Sequence, residues 1–370
     1  MSEQQVDLDQ PNSGGKEFRC NQCGAEMTYD AGAQVMRCAH CDNTRPVGGE
    51  EGQHSIVEYN LEDGLAKASE RGYGTPVKSA MCKECGATVS FGENVTSTKC
   101  AFCDSSQVLE QEANRNVIRP ESLVAFQVDE DSAAGKFSGW LKGLWFRPND
   151  LKHRAKVKEM SGVYVPYWTF DANVDSDWTA EAGYYYYETE HYIDEEGDAQ
   201  QRQVRKIRWQ PAWGSRSDFH DDVLVCASKG LPRELADRLE TFDTAKLVSY
   251  DPQYLAGWKA EEYAVELNDG WAQAVERIEH VQHNRCAGDV PGDTYQFLNV
   301  ANKFYDEKFK HVLLPIWISA YRYKDEVYRF LVNGQTGEVT GKAPYSIIKI
   351  VLFIVVLAAV IGGLIFLLSR

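Results

Sequence analysis

The chain has 370 residues, 55 acidic against 39 basic, giving a net charge of −16. That balance argues against a surface that grips phosphate backbones, which needs Lys and Arg in excess. Hydrophobic residues at 43% and charged residues at 25% suit a globular chain with its own core, in two or three folded units, and ten unevenly placed cysteines do not make the disulfide framework of a small secreted domain.

In chain order, residues 1–16 are polar and acidic and read as a disordered tail. They lack a charged stretch followed by an apolar run, so no signal peptide is expected. Residues 17–45 and 78–110 are read as two zinc ribbons. The first has Cys20-x2-Cys23, fourteen residues, then Cys38-x2-Cys41; the second has Cys82-x2-Cys85, fourteen residues, then Cys100-x2-Cys103. Each ligand of the second follows its counterpart by 62 residues, and the flanks repeat as CNQCGAEMTYD and CKECGATVSFG, the mark of an internal duplication.

Two residues between thiolates let a tight knuckle aim both sulfurs at one ion. Gly24 and Gly86 follow the second Cys of each knuckle, where positive φ is often needed. Fourteen residues suit a hairpin that returns the chain to the second knuckle. Four thiolates favour tetrahedral Zn²⁺ in a closed, structural site, with rubredoxin-like iron or disulfides as the alternatives. His40 lies inside one knuckle, but Phe102 holds that place in the other, so His40 reads as a surface residue. Each ribbon's bases are matched by acids, which leaves no basic face for nucleic acid.

Residues 46–77 are read as a linker with a short amphipathic helix over 57–70. From 119 to 344 an antiparallel-β-rich α+β domain is expected. Asp129 caps a helix carrying Ala133, Phe137, Trp140, Leu141 and Leu144, and Pro148 marks its end. Strand-like alternation follows over 163–174, 178–190 and 202–213; the Tyr184–Tyr187 run reads as strand residues split between two faces. Cys226, in an apolar run, reads as a small buried hydrophobe. Residues 231–242 read as a helix with Pro near its start. Asn268 or Asp269 caps another, with Trp271, Val275, Ile278 and Gln282 along one stripe. His280, His283 and Cys286 on that helix read as a polar face, a third metal site being the less favoured alternative. A final β stretch covers 294–306, 311–323 and 326–341, with Asn333-Gly334 and Thr336-Gly337 as turns. Val163–Trp168 resembles Leu313–Trp317: both enter a strand through Pro and place Trp two residues on. We read two related β units, with each proline at a bulge or an edge.

From Ile350 to Leu368 nineteen residues carry no polar side chain. As a helix they span ~29 Å, close to the ~30 Å of a bilayer core. We expect a transmembrane helix over 347–368 acting as a tail anchor. Lys342 and Lys349 lie on the N-terminal side of the apolar run and Arg370 on the other, which favours the N-terminal bulk in the cytoplasm. Ala358/Gly362 and Ala359/Gly363 form small-xxx-small pairs that suit helix association, hence a possible homo-oligomer.

No P-loop, HExxH, GxSxG or Rossmann fingerprint occurs, so no enzyme is expected. The stretches CNQCGAEMTYD, CKECGATVSF, GVYVPYWTFDA, ASKGLP, YDPQYLAGWKAEEY and LLPIWISAYRYKDEVYRFLVNGQTGEVTG resemble a bacterial family of tail-anchored proteins with zinc ribbons of the transcription-factor-IIB type, many labelled primosomal-helicase-like. The resemblance implies a membrane-associated partner of SPFH/band-7 (flotillin-like) proteins with a role in envelope stress. The helicase label finds no nucleotide-binding motif here. The expected function is a membrane-anchored, cytoplasm-facing adaptor that docks protein partners; the alternative is a membrane-tethered nucleic-acid-binding protein.

Overall fold

The computed structural model describes residues 18–47, 55–62, 77–92, 100–103, 105, 108–112, 118–151, 160–193, 197–239, 242–323 and 326–368. The expected disordered tail over 1–16 lies outside them. In chain order the strands are β1 (Met27–Asp30), β2 (Val35–Cys38), β3 (Thr44–Pro46), β4 (Tyr59–Asn60), β5 (Val77–Cys82), β6 (Thr88–Gly92), β7 (Val108–Glu112), β8 (Ser122–Leu123), β9 (Ser161–Ile193), β10 (Ala199–Cys226), β11 (Val248–Ser249), β12 (Lys259–Glu261), β13 (Thr294–Tyr323), β14 (Glu326–Asn333) and β15 (Val339–Gly341). The α-helices are α1 (Glu130–Gly143), α2 (Arg233–Arg238), α3 (Leu267–Asp289) and α4 (Ile347–Leu368). The protein is therefore a sheet-rich α+β chain with two four-cysteine groups near its N-terminus and one apolar C-terminal helix.

The three longest strands are longer than their alternation announces. The expected strands over 163–174 and 178–190 are one strand, β9, of 33 residues. The polar break at Asp175-Ser176-Asp177 is not a turn. Ser217 donates to Asp175 at 2.6 Å, and Ser176 donates to Asn302 at 2.7 Å, so flanking strands take up those polar groups. The expected strands over 294–306 and 311–323 are likewise one, β13, carried across register shifts at Phe297 and Asp306, both at positive φ. β9 pairs antiparallel with β10 as far as Ile193 and with β13 as far as Gly183, so the three strands extend outward as an arm.

Pro166 and Pro315 sit inside these central strands, not at a sheet edge or a bulge as expected. Each is tolerated because a neighbouring strand ends beside it. The Pro166 carbonyl accepts from Ala227 N at 2.9 Å just past β10, and the Pro315 carbonyl accepts from Gly334 N at 2.8 Å just past β14. The return bond that proline cannot donate falls where the ladder stops.

Side-chain period two divides the core between the faces of β9 and β13. On one face Tyr164, Leu313 and Trp317 pack with α1 and the first ribbon; on the other Val163, Val165, Tyr167, Val312 and Leu314 pack with α2 and the second ribbon. Asp129 caps α1 as expected, accepting from Ser132 N at 2.8 Å, and Ala133, Phe137 and Leu141 are its buried stripe. α2 is shorter than the expected helix over 231–242 and starts directly after Pro232.

The cap position of α3 is Glu266, not Asn268 or Asp269. Its buried stripe runs Leu267, Gly270, Ala274, Ile278, Gln282 and Cys286. Ile278 and Gln282 were expected there; Trp271 and Val275 lie at its margin. Gly270 is required by a close approach, since a Cβ there would stand 2.8 Å from the Trp168 ring. Of the helix expected over 57–70, residues 59–60 are instead β4, paired with Lys308 and Phe309 of β13; residues 63–70 lie outside the described residues. Asn333 accepts from Gln335 N and Thr336 N, and Gly337 has positive φ, which makes the expected turn. Among the described residues, α4 is the one helix long and apolar enough to cross a membrane, with mean hydropathy 3.2 and none of its span buried.

Candidate metal centres

The first centre is built by two knuckles around a hairpin. Cys20 precedes β1, β2 ends on Cys38, and antiparallel pairing of Met27 with Cys38 brings the knuckles together. Gly24 N donates to the Cys20 carbonyl at 2.9 Å with Gly24 at φ +74°, and Gly86 N donates to Cys82 at 2.9 Å with Gly86 at φ +77°. These are the positive-φ positions the sequence anticipated. Gln22 N donates to Cys20 Sγ at 3.4 Å, and Phe102 N donates to Cys100 Sγ at 3.4 Å. Backbone N–H groups of Gln22 and Cys23 bring the Cys20 thiol down to about 6, and that of Cys41 lowers Cys38. Burial and the neighbouring sulfurs raise Cys23 and Cys41 in turn, so the knuckles ready one sulfur of each close pair as a thiolate and a cation is needed to hold all four.

In the first centre Cys20 and Cys41 Sγ are 3.6 Å apart and Cys23 and Cys38 3.5 Å; in the second, Cys82 and Cys103 are 3.6 Å apart and Cys85 and Cys100 3.6 Å. Within each group all four sulfurs lie within 4.8 Å of one another. A tetrahedron with Zn–S near 2.3 Å has edges of about 3.8 Å, whereas a disulfide needs about 2.05 Å. The donor set and spacing fit two structural zinc ions, each with four protein ligands. Such an ion supplies folding energy, about 10–16 kcal/mol in finger peptides.

His40 is exposed and Phe102 buried, as the duplicated sequence suggests. His280 and His283 are exposed on α3 while Cys286 is buried against the arm. They form no metal-ligating group among the described residues. Cys226 is half-buried beside the second ribbon's core.

One polar cluster gave no signal in the sequence. Asp171, Asp221 and Asp222 converge, and the buried Lys310 amine lies 2.8 Å from Asp222 and 3.0 Å from Glu58. Burial pushes the Asp171 carboxyl up to about 6. Burial opposes the charge on Lys310, but Asp222 and Glu58 outweigh it and hold the amine above its usual range. The ammonium supplies the positive charge there, so the cluster reads as a buried ion-pair network joining the segment before β4 to β9, β10 and β13.

A family model described as LSD1 zinc finger matches residues 20–43, spanning the four cysteines of the first centre. The uncharacterized protein YdjG of Bacillus subtilis (strain 168) is 26% identical over 335 residues, covering 89% of this chain and 90% of that protein. No solved structure matches.

Proposed function

We propose that the protein is a membrane-anchored, cytoplasm-facing adaptor, stiffened by zinc, that docks protein partners through its arm. The observation that carries this reading is the uncovered face of the arm. α3 packs on one face, where Gln282 donates to Ser176 at 2.9 Å and to Asp218 at 3.1 Å. On the opposite face Trp213 and Phe219 are 76% and 58% exposed, and Tyr187 and Ile207 lie farther out, toward the tip. Aromatic rings in the open on a rigid strand suit a protein interface.

The arm is also suitably aimed. β15, which leads to α4, pairs with Phe330, level with Ser319 near the Ser161 end of β9. The arm tip is at the other end, and 33 residues at ~3.3 Å each run roughly 100 Å along the strand. The tail and the docking face are thus held apart. Lys342 before α4 and Lys349 in its first turn support a cytoplasmic body, and the resemblance in sequence suggests SPFH/band-7 scaffold proteins as the partner class.

The same reading takes the body as two related units, β8-α1-β9-β10 and β12-α3-β13-β14. Three correspondences support it. β8 runs parallel to β13 at Val312 and Leu313, as β12 does to β9 at Val163 and Tyr164. Trp317 Nε1 donates to Val128 O at 2.8 Å just before α1, and Trp168 Nε1 donates to Val265 O at 2.9 Å just before α3. Pro315 pairs with Tyr164, and Pro166 with Leu313. The departure from symmetry is the first hairpin: β10 has 28 residues and β14 has 8. That extra length is the arm.

The test is purification of the full chain from native membranes, crosslinked and identified by mass spectrometry, beside Trp213→Ser/Phe219→Ser. A protein partner held by the wild type and lost from the variant supports the reading. No protein partner, or one held equally by the variant, contradicts arm docking. Salt-sensitive retention of nucleic acid instead would favour a tethered nucleic-acid-binding protein.

A further inference from the structure

The tail helix does not start free of the body. Ser346 caps α4: its carbonyl accepts from Ile350 N at 3.1 Å and its hydroxyl from Lys349 N at 3.5 Å. Ser346 N donates to Phe146 O at 2.8 Å, and Lys349 Nζ donates to Trp145 O at 3.0 Å. Arg147 bonds the Ala343 carbonyl and lies 3.6 Å over the Tyr345 ring. The turn after α1 is thereby clamped to the first turn of the tail.

The rings of that turn reach along the helix. Trp145 and Phe146 meet Phe353 edge-on, with centroids 6.3 and 5.3 Å apart. Phe353 lies six residues into α4, ~9 Å along its axis, and three residues past the start of the uninterrupted apolar run at Ile350. Trp145 is 71% exposed there and Tyr345 66%. Exposed Trp and Tyr beside Lys and Arg, level with the first turns of an apolar helix, match the chemistry of the membrane interface: rings at the headgroup boundary, amines among phosphates.

We propose that Trp145 and Phe146 form a second membrane contact, a foot seated in the interface of the bilayer that α4 crosses, with Arg147 and Lys349 facing anionic headgroups. This rests on the reading of α4 as a membrane span. The protein then touches the bilayer at two points, one spanning and one interfacial. The foot fixes the tilt of the body, and with it the direction of the arm.

The test uses the full chain reconstituted into phosphatidylcholine–phosphatidylglycerol vesicles carrying lipids brominated near the headgroup end of the acyl chain. Tryptophan quenching is compared between wild type and Trp145→Phe, with zinc content confirming that both are folded. Quenching in the wild type that falls about twofold or more in Trp145→Phe supports the foot. Equal quenching in both, with the chain resistant to alkaline extraction, overturns the foot and leaves the span intact. A chain removed from the vesicles by alkaline extraction overturns the span and the foot together.

Discussion

The two ribbons share one cysteine spacing and close sulfur–sulfur distances of 3.5 to 3.6 Å, yet they join the body in opposite ways. The first forms its own three-stranded sheet, β1-β2-β3, and docks by its edge. Tyr29 N donates to Ala256 O at 2.9 Å, Trp258 Nε1 donates to Tyr29 O at 2.9 Å, and the Tyr29 hydroxyl donates to Phe126 O at 3.2 Å. The second continues the main sheet, β6 pairing with β12 through Ser90↔Ala260. Ser90 also donates to Glu262 at 2.7 Å, and Phe102 enters the core around α2. A metal motif therefore fixes the knuckles alone, and the residues between and beyond the ligands decide how far the metal's folding energy reaches.

The largest expected effect breaks that difference directly. Cys20→Ser should open the first ribbon and uncover the core face that Met27, Tyr29 and Met36 cover, with new proteolytic cuts centred on residues 18–47 and the main sheet still paired. Cys82→Ser should open the second and also expose α2 and β12, which share its sheet and core. Each loses a large part of the ~10–16 kcal/mol of a structural zinc site. Mapping the cuts by mass spectrometry checks this; cuts confined to the ribbon in both variants would mean that the second ribbon is an independent bead.

The equivalent knuckle positions His40 and Phe102 give the next contrast. Phe102→Ala should cost about 3–5 kcal/mol, because the ring is buried beside Gly230 in the core around α2. His40→Ala should stay within about 0.5 kcal/mol, because His40 is exposed. Denaturant unfolding of the zinc-loaded chains measures both.

The attachment of the second ribbon should also be pH-sensitive. Glu261 of β12 is fully buried and accepts from Ser228 Oγ at 2.8 Å, and burial pushes its carboxyl up to about 8. The folded state keeps a proton that the unfolded chain loses near the ordinary ~4.3. Its contribution is thus complete below that ordinary value and lost as pH rises through about 8. Stability should fall by about 3 kcal/mol between about pH 6 and pH 9, and Glu261→Gln should flatten that slope. A slope unchanged in the variant would remove Glu261 from the account. The smallest loss expected of a buried contact is Tyr29→Phe, which removes one hydrogen bond between the first ribbon and Phe126, about 1 kcal/mol by thermal unfolding.

The sequence revealed what depends on short-range chemistry. The cysteine knuckles with Gly24 and Gly86, the Asp129 cap, the Asn333 turn and the apolar run of α4 are local patterns, and each has its expected form. Long-range pairing was less visible. The polar Asp175–Asp177 stretch looked like a strand end, because its partners, Ser217 and Asn302, are distant in sequence. Lys310 gave no sign of burial, because Glu58 and Asp222 come from other segments. The prolines looked like edge markers, because the ladder ends beside them are set by where β10 and β14 stop. Trp145 had no helical or strand pattern to belong to, and only its contact with Phe353 relates it to the tail.

The most direct measurement of the duplicated-site account is metal content, taken by elemental analysis on protein purified without added metal, for the wild type and for Cys20→Ser and Cys82→Ser. The account predicts two zinc ions per chain in the wild type and one in each variant. Iron in place of zinc, a wild-type content near zero, or loss of both ions from a single substitution would contradict two separate structural zinc centres.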